Sequence, residues 1–450
     1  MPIFIFQLPR ELFTIILDHI PERDLFRLSA TCQAYRNELA PRLFRVIHFS
    51  NDAKSANSAL RAAKRFGHLT VELMFEYQGG GDNDCVQLLA LPVLLPATQA
   101  LLRGFDLPEL KTIQLIFGTQ SNKGAAWKDQ LLDLLATTEH PAETTDAEEK
   151  HEWRALLNET YAAISENLTI SRLILDEFLP INVSALYSRG FRRLLGRLPS
   201  AEIRLCTPIR YGGHNEIFSL HGYKSFVTKL SKVLLDHMQK VELLYLDAAC
   251  CIPLGGVRPT STQLALPPKS LPLLTTLCLA NCFLSSTLLE FIGAHTDTLS
   301  CVDLQDCAAD FSGANGDLEQ PLPQETWANF FSEILKLQST VLVEFTVDYT
   351  NSDLLELFDS GEPTEFGNLG YEAAQIAAES LASSLMADPS RKFFSYATLD
   401  PEYGDLIIRR YVNRIQAARY RDQVMYQKLQ VLVKRNADQK LRQSPGAATT

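Results

Sequence analysis

Apolar residues step through the first fifty positions at helical spacing and then change rhythm. Leu12, Ile15, Ile16 and Ile20 follow one another at intervals of three, one and four, as residues on one helix face do. Pro9 stands at the entrance, where its missing N–H costs nothing, and Pro21 stops the helix. Asp24 is placed to cap a second helix. Beyond it Leu25, Leu28, Cys32, Tyr35 and Leu39 step by three, four, three and four, a stripe along one side of two consecutive helical segments. Pro41 is expected to end it, and Leu43, Phe44, Val46, Ile47 and Phe49 read as extended. A unit of about 50 residues has little interior, so part of this stripe needs a cover, either the rest of the chain or another protein.

After residue 50 short alternating pieces take over: Val71-x-Leu73 before the turn Gly79-Gly80-Gly81-Asp82, and Leu110-x-x-Ile113-x-Leu115 after a Leu-Pro-Glu turn. Ile170-x-x-Leu173-x-Leu175, Val241-x-x-Leu244-x-Leu246, Leu274-x-x-Leu277-x-Leu279, Leu299-x-x-Val302-x-Leu304 and Leu342-x-x-Phe345-x-Val347 share that form. The short form alone arises about a dozen times by chance in a chain this rich in Leu, Ile, Val and Phe. Two copies extend it to Leu274-x-x-Leu277-x-Leu279-x-x-Cys282 and Leu299-x-x-Val302-x-Leu304-x-x-Cys307, 25 residues apart, where about a quarter of one match is expected. The period and the cysteine offset resemble leucine-rich repeats. Ser285 to Ile292 between them predicts a short helix with Leu288, Leu289 and Ile292 facing inward.

The repeat positions Val71, Ile113, Leu173, Leu244, Leu277, Val302 and Phe345 are separated by 42, 60, 71, 33, 25 and 43 residues. Ile203-Arg204-Leu205 can serve as a degenerate strand inside the longest gap. An irregular solenoid with insertions accounts for this, and so does a non-repetitive α/β domain; the solenoid is the expectation. The interruptions are an acidic segment from Glu139 to Glu152, a proline-rich loop from Ala248 to Pro272, and a polar stretch from Asp359 to Gly370 followed by an Ala-rich helix from Tyr371 to Met386. Residues 405–435 predict one long helix striped by Ile408, Tyr411, Ile415, Ala418, Met425, Leu429 and Leu432, with Asp422 interrupting the stripe. Three roles compete for it: a terminal cap on the last repeat, a short coiled coil, or a basic arm for nucleic acid or an anionic membrane. The cap is the expectation.

The N-terminal residues carry a second resemblance. Leu8-Pro9-Arg10-Glu11-Leu12, then Ile15-Ile16, Ile20, Asp24-Leu25, Leu28 and Cys32-x-x-Tyr35-Arg36 resemble an F-box over residues 4–49. The closing Pro41-x-Leu43-Phe44-Arg45-x-Ile47 is similar to the segment after the motif in fungal members, while Gln33 and Tyr35 stand where the family often has Trp or a basic residue. The resemblance implies docking on the Skp-type adaptor of a cullin–RING ubiquitin ligase. By analogy Leu8, Pro9, Leu12, Ile15, Leu25, Leu28 and Cys32 would form or support the docking surface. From its residue type alone, Cys32 reads as a small buried hydrophobe.

Composition narrows the class. Of 450 residues, 46% are hydrophobic and 21% charged, ordinary globular usage. No apolar run reaches transmembrane length, and the apolar start, Met1 to Leu8, is too short for a signal peptide. Nine cysteines are too sparse for a disulfide framework and fit a reducing compartment, cytoplasmic or nuclear. The net charge is −11; Gly404 to Gln443 holds ten Lys/Arg against three Asp/Glu, +7, leaving −18 for the remainder. An acidic body makes nucleic acid an unfavourable partner.

No catalytic constellation emerges. Gly79-Gly80-Gly81 lacks the Gly-Lys-Ser/Thr of a phosphate loop, and neither a Gly-x-Ser-x-Gly elbow nor a His-Glu-x-x-His pair occurs. Cys278-x-x-x-Cys282 has metal-like spacing, but Cys278 between Leu277 and Leu279 points to the opposite strand face, and Cys282 and Cys307 fill the repeat's own cysteine position. Tyr211-Gly212-Gly213-His214 is a loop signal. The expectation is therefore an α/β chain with no catalytic residues, metal or cofactor: an all-α F-box (1–50), a leucine-rich-repeat-like body (51–398), a basic amphipathic C-terminal helix (399–435) and a disordered tail (436–450). Its expected role is the substrate receptor of a ubiquitin ligase, bridging an unknown client to the adaptor and cullin. The alternatives are an F-box-like scaffold outside ubiquitin transfer and an unrecognised α/β enzyme.

Overall fold

The computed structural model describes residues 9–77, 94–117, 135, 148, 151–206, 221–248, 253–256, 261–310, 326–349, 383, 391–399, 406–408, 413 and 420–443. Three helices open the chain: α1 (Arg10–Asp18), α2 (Glu22–Thr31) and α3 (Gln33–Leu43). Strands and helices then alternate: β1 (Val46–Ser50), α4 (Ala53–Phe66), β2 (Glu72–Glu76), α5 (Pro96–Arg103), β3 (Thr112–Ile116), α6 (Glu152–Ser165), β4 (Arg172–Phe178), α7 (Arg189–Leu195) and β5 (Ser200–Leu205). Next come α8 (His221–Thr228), α9 (Leu230–Val233), β6 (Leu243–Asp247), β7 (Thr276–Ala280), β8 (Phe283–Leu284), α10 (Ser286–Ala294), β9 (Cys301–Gln305), β10 (Ala308–Asp310), α11 (Trp327–Leu337) and β11 (Glu344–Asp348). The chain closes with β12 (Ser395–Leu399), β13 (Leu406–Ile408) and α12 (Arg421–Gln443).

Nine strands form one sheet in the order β1-β2-β3-β4-β5-β6-β7-β9-β11, every neighbour parallel. Parallel neighbours need a crossover, usually a helix, and here the strand order follows the chain without reversal. One ladder position is filled by Ile47, Leu73, Ile113, Leu173, Ala201, Leu244, Leu277, Val302 and Phe345. Two residues on, Phe49, Phe75, Leu115, Leu175, Ile203, Leu246, Leu279, Leu304 and Val347 form the second row. All are buried in one continuous core with the helices. The period of two sends the intervening residues to the opposite face.

All seven strand pieces read from the sequence lie in this sheet, with two register corrections. Leu73, not Val71, is the partner of Ile113. In β5 the aligned pair is Ala201 and Ile203 rather than Ile203 and Leu205, because alanine escapes a pattern that demands a large aliphatic. Val46–Ser50, read with the N-terminal unit, is the first strand of the sheet.

A second sheet, β13-β12-β10-β8, flanks the C-terminal end of the first. Asn281 and Asp306 adopt φ of 55° and 48°, a left-handed bend that Asn and Asp tolerate best after glycine. The bend redirects the chain from β7 into β8 and from β9 into β10. Cys282 and Cys307 follow directly; their thiols donate to the Ala280 and Leu279 carbonyls at 3.3 and 3.6 Å. Cys282 and Cys307 are buried, and Cys278 lies on the opposite, half-exposed face.

The long helix expected over 405–435 is corrected: Leu406–Ile408 pair antiparallel with β12, and α12 begins at Arg421 after Tyr420 at φ 57°. It runs through Gln443, into the stretch expected to be disordered; residues 444–450 lie outside the described residues. Its buried stripe is Tyr426, Leu429, Val433 and Asn436, packed on α11 and β11. Here α12 caps the sheet. Gln430 Nε2 and Tyr426 OH donate to the Phe345 carbonyl at 2.7 and 3.5 Å, and Asn436 Nδ2 to the Ser339 and Leu342 carbonyls at 2.8 and 3.0 Å. Side chains thus supply what an edge strand lacks. The Ala-rich helix read over 371–386 and the loops at 79–82 and 211–214 lie outside the described residues.

Candidate docking unit

The N-terminal helices keep a small core of their own: Leu17, Leu25, Leu39 and Leu43, with Ile20, Leu28, Tyr35 and Phe44 against it. Pro9 is the N-cap of α1. Pro21, not Asp24, is the N-cap of α2; Asp24 lies in the first turn and pairs with Arg27 at 3.0 Å. Pro41 is tolerated inside α3, which ends only at Leu43. Arg42 ties α3 to Asp18 of α1 at 2.8 Å, and His19 Nδ1 lies 2.8 Å from the Ile15 carbonyl at the end of α1.

The sequence-derived site residues divide into two groups. Leu12 and Ile15 are 49% and 54% exposed, and Pro9 is exposed beside them. Leu25 is buried and Leu28 half-buried, both in the small core, where they support the surface rather than form it. Leu8 lies outside the described residues. Cys32 is corrected: it is exposed, and its sulfur accepts from the Tyr35 N–H at 3.5 Å as the N-cap of α3. A thiol in that position replaces the usual Ser or Asp, which the apolar spacing alone hid.

Two further large apolar residues of these helices are exposed, Ile16 on α1 and Phe26 on α2. Phe26 follows the buried Leu25, so the core-facing stripe passed over it; its signal was an aromatic off the stripe of an otherwise polar helix. Fully burying such a side chain is worth about 1.5–3 kcal/mol. Leu12, Ile15, Ile16 and Phe26 leave that free energy unrealised in the isolated chain.

The unit meets the sheet without a spacer. Phe44, two residues before β1, stacks on Phe66 with ring centroids 4.0 Å apart, and Arg65 lies over that ring at 5.0 Å. Thr70 Oγ1 donates to the Phe44 carbonyl at 2.8 Å, and the Val71 and Glu72 amides donate to the Arg45 carbonyl at 2.8 and 3.1 Å.

Among the described residues no group of three or more His, Cys, Asp or Glu is arranged to hold a metal ion, and no helix is long and apolar enough to cross a membrane. Burial pushes the Cys307 thiol up to about 12 and the Cys282 thiol well above its usual value, as suits packing rather than nucleophilic chemistry.

The described residues thus form a small helical unit joined directly to a parallel-sheet body. Comparison with known families adds one finding: residues 5–38, which include α1, α2 and the first half of α3, match the F-box domain. Proteins carrying this domain in general act as adaptors that bind a Skp-type partner within a cullin complex. No curated protein matches the chain.

Proposed function

We propose that this chain is the substrate-recognition subunit of a cullin–RING ubiquitin ligase, docking a Skp-type adaptor through α1 and α2 and presenting a client on its body. The observation that carries the reading is the exposure of Leu12, Ile15 and Ile16 on α1 and of Phe26 on α2, inside the matched F-box. The docking residues are Pro9, Leu12, Ile15 and the solvent edge of Cys32, with Leu25 and Leu28 holding the helices beneath them; Leu8 belongs to the same motif in sequence. An amphipathic helical face laid into a partner's groove is a recurrent recognition mode.

The body reads as an irregular leucine-rich-repeat-like solenoid with inserted loops. Two unbroken apolar rows across nine strands support it, as does a strand order that never reverses among the described strands. A doubly wound enzyme binds its ligand where that order reverses. The chain's contribution to ubiquitin transfer is proximity: holding client and ubiquitin-loaded enzyme together raises their effective concentration.

The test is a Leu12→Ala/Ile15→Ala variant titrated with purified Skp-type adaptor. Both side chains are already exposed, so folding should be unchanged. Affinity should fall more than about tenfold, ~1.4 kcal/mol. A folded variant with undiminished affinity refutes the docking assignment, and adaptor recovered without cullin moves the reading to a scaffold outside ubiquitin transfer.

A further inference from the structure

The sheet face turned away from the helices carries an uneven charge. Strands β6, β7, β9 and β11 bear Asp247, Asp303, Glu344 and Asp348 and not one Lys, Arg or His. The register sets these carboxylates on the same face as Tyr245, Cys278 and Thr346.

Two cations from the chain itself bracket this region. On the β5 side, Arg204 bridges Asp176 at 3.4 Å and Glu202, its guanidinium 5.4 Å above the Tyr245 ring. On the β11 side, Lys392 reaches Asp348 at 2.5 Å. Neutral groups donate to the carboxylates between them. Asp247 accepts from Asn281 Nδ2 at 2.8 Å, and Asp303 from Gln305 Nε2 at 2.7 Å and Thr346 Oγ1 at 2.5 Å. Burial pushes the Asp247 carboxyl up and the neighbouring Asp306 and Asp176 add to it, while Asn281 and Arg204 oppose them. Carboxylates crowded in this way gain from an added cation. The face therefore already shows, at Arg204, how it takes a guanidinium: carboxylates at the edge and an aromatic ring beneath. Leu243, 37% exposed on the same face, offers apolar contact for the stem of a basic side chain.

We propose that the face of β6, β7, β9 and β11 is the client-docking surface and that its occupant is an extended basic peptide segment. This rests on reading the body as the client-receiving part. Neighbouring strands lie about 4.8 Å apart, so the carboxylates of β6 and β11 are separated by about 14 Å across the strands. An extended peptide advances about 3.4 Å per residue and returns a side chain to the same face every second residue. The segment that fits thus carries two or three Arg or Lys at alternate positions within about five residues. Opposite charge at such a face sets encounter rate and partner choice.

The experiment uses the full chain and a fluorescein-labelled peptide alternating Gly with three Arg, beside its Glu counterpart, followed by anisotropy at rising salt. The Arg peptide should bind with an affinity that falls as salt rises, and the Glu peptide should not bind. The variant Asp247→Asn/Asp303→Asn/Glu344→Gln should weaken the Arg peptide about tenfold. A variant neutralising three exposed acids away from the sheet, Glu109→Gln/Glu290→Gln/Asp297→Asn, should change it less than about twofold. Melting curves establish that both variants are folded. Equal loss in the two variants, or no preference for the Arg peptide, overturns the proposal. Adaptor binding on the same samples separates the readings: adaptor bound without a basic preference removes only this inference, while a basic preference without adaptor removes only the docking assignment.

Discussion

Removing the Asp422 carboxylate should loosen the terminal cap from the body. Asp422 is 5% exposed at the start of α12. Its Oδ1 accepts from the Ala328 amide in the first turn of α11 at 2.9 Å, and its Oδ2 from the Tyr396 hydroxyl at 2.8 Å. The Tyr396 oxygen in turn accepts from the Trp327 amide at 3.3 Å. One side chain thus joins the last helix, the first turn of α11 and the second sheet. Asp422→Ala leaves two buried donors without partners, each costing about 1–3 kcal/mol; relief of carboxylate desolvation offsets part of this, for a net loss of about 2–4 kcal/mol. Asp438→Ala, on the exposed side of the same helix, should stay within about 0.5 kcal/mol. Chemical denaturation midpoints decide, with Tyr396→Phe and the double variant closing a cycle whose coupling should exceed about 1 kcal/mol. If Asp422→Ala and Asp438→Ala unfold alike, the cap does not depend on this network. The pH dependence has a defined sign. Burial raises the Asp422 carboxyl above its usual range, against the Tyr396 and Ala328 donors and Arg421. A carboxyl raised in the folded state binds its proton more tightly there, so its contribution is full below the unfolded value of about 3.9 and shrinks as pH rises through the folded one. The stability gap between the wild type and Asp422→Asn should therefore be widest in acid and narrow toward neutrality.

The remaining predictions concern the sheet and the thiols. Leu277→Asp places a charge at a fully buried ladder position and should cost several kcal/mol, about 3 or more, whereas Gln305→Ala on the outward face of β9 should leave the melting curve nearly unchanged; equal melts would contradict the register. In maleimide labelling of the native chain at pH 8, read by peptide mass mapping, Cys32 should react first and adaptor should protect it. Cys278, pushed up to about 11 by burial and then by Asp303, Glu202 and Glu344, holds only about a thousandth of its thiol as thiolate at that pH and should lag. Cys206, Cys282 and Cys307, all buried, should label only on unfolding; early labelling of Cys282 would contradict its packing.

Much of the body was legible because it rests on periodicity. A Leu-x-x-Leu-x-Leu piece must bury alternate residues, and six such pieces, with the shorter Val71-x-Leu73, became strands of one sheet. The F-box was legible because Pro9, the Leu12–Ile15–Ile16 row and the Leu25–Leu28 stripe are local signals of a short helical unit. What escaped was decided by partners distant in the chain. Ala201 holds a ladder position because Leu173 and Leu244 flank it, and nothing in its own identity says so. Periodicity shows that Leu12 and Leu25 are apolar, but only packing decides that the first is exposed and the second is core. Asp422 looked like a flaw in a helical stripe until Ala328 and Tyr396, 94 and 26 residues away, turned it into a buried acceptor. The acids of the open face lie scattered from residue 247 to 348 and become one surface only when parallel pairing brings their strands about 4.8 Å apart. Local patterns follow from the bonding geometry of neighbours in the chain; exposure, charge crowding and the satisfaction of buried polar groups follow from neighbours in space.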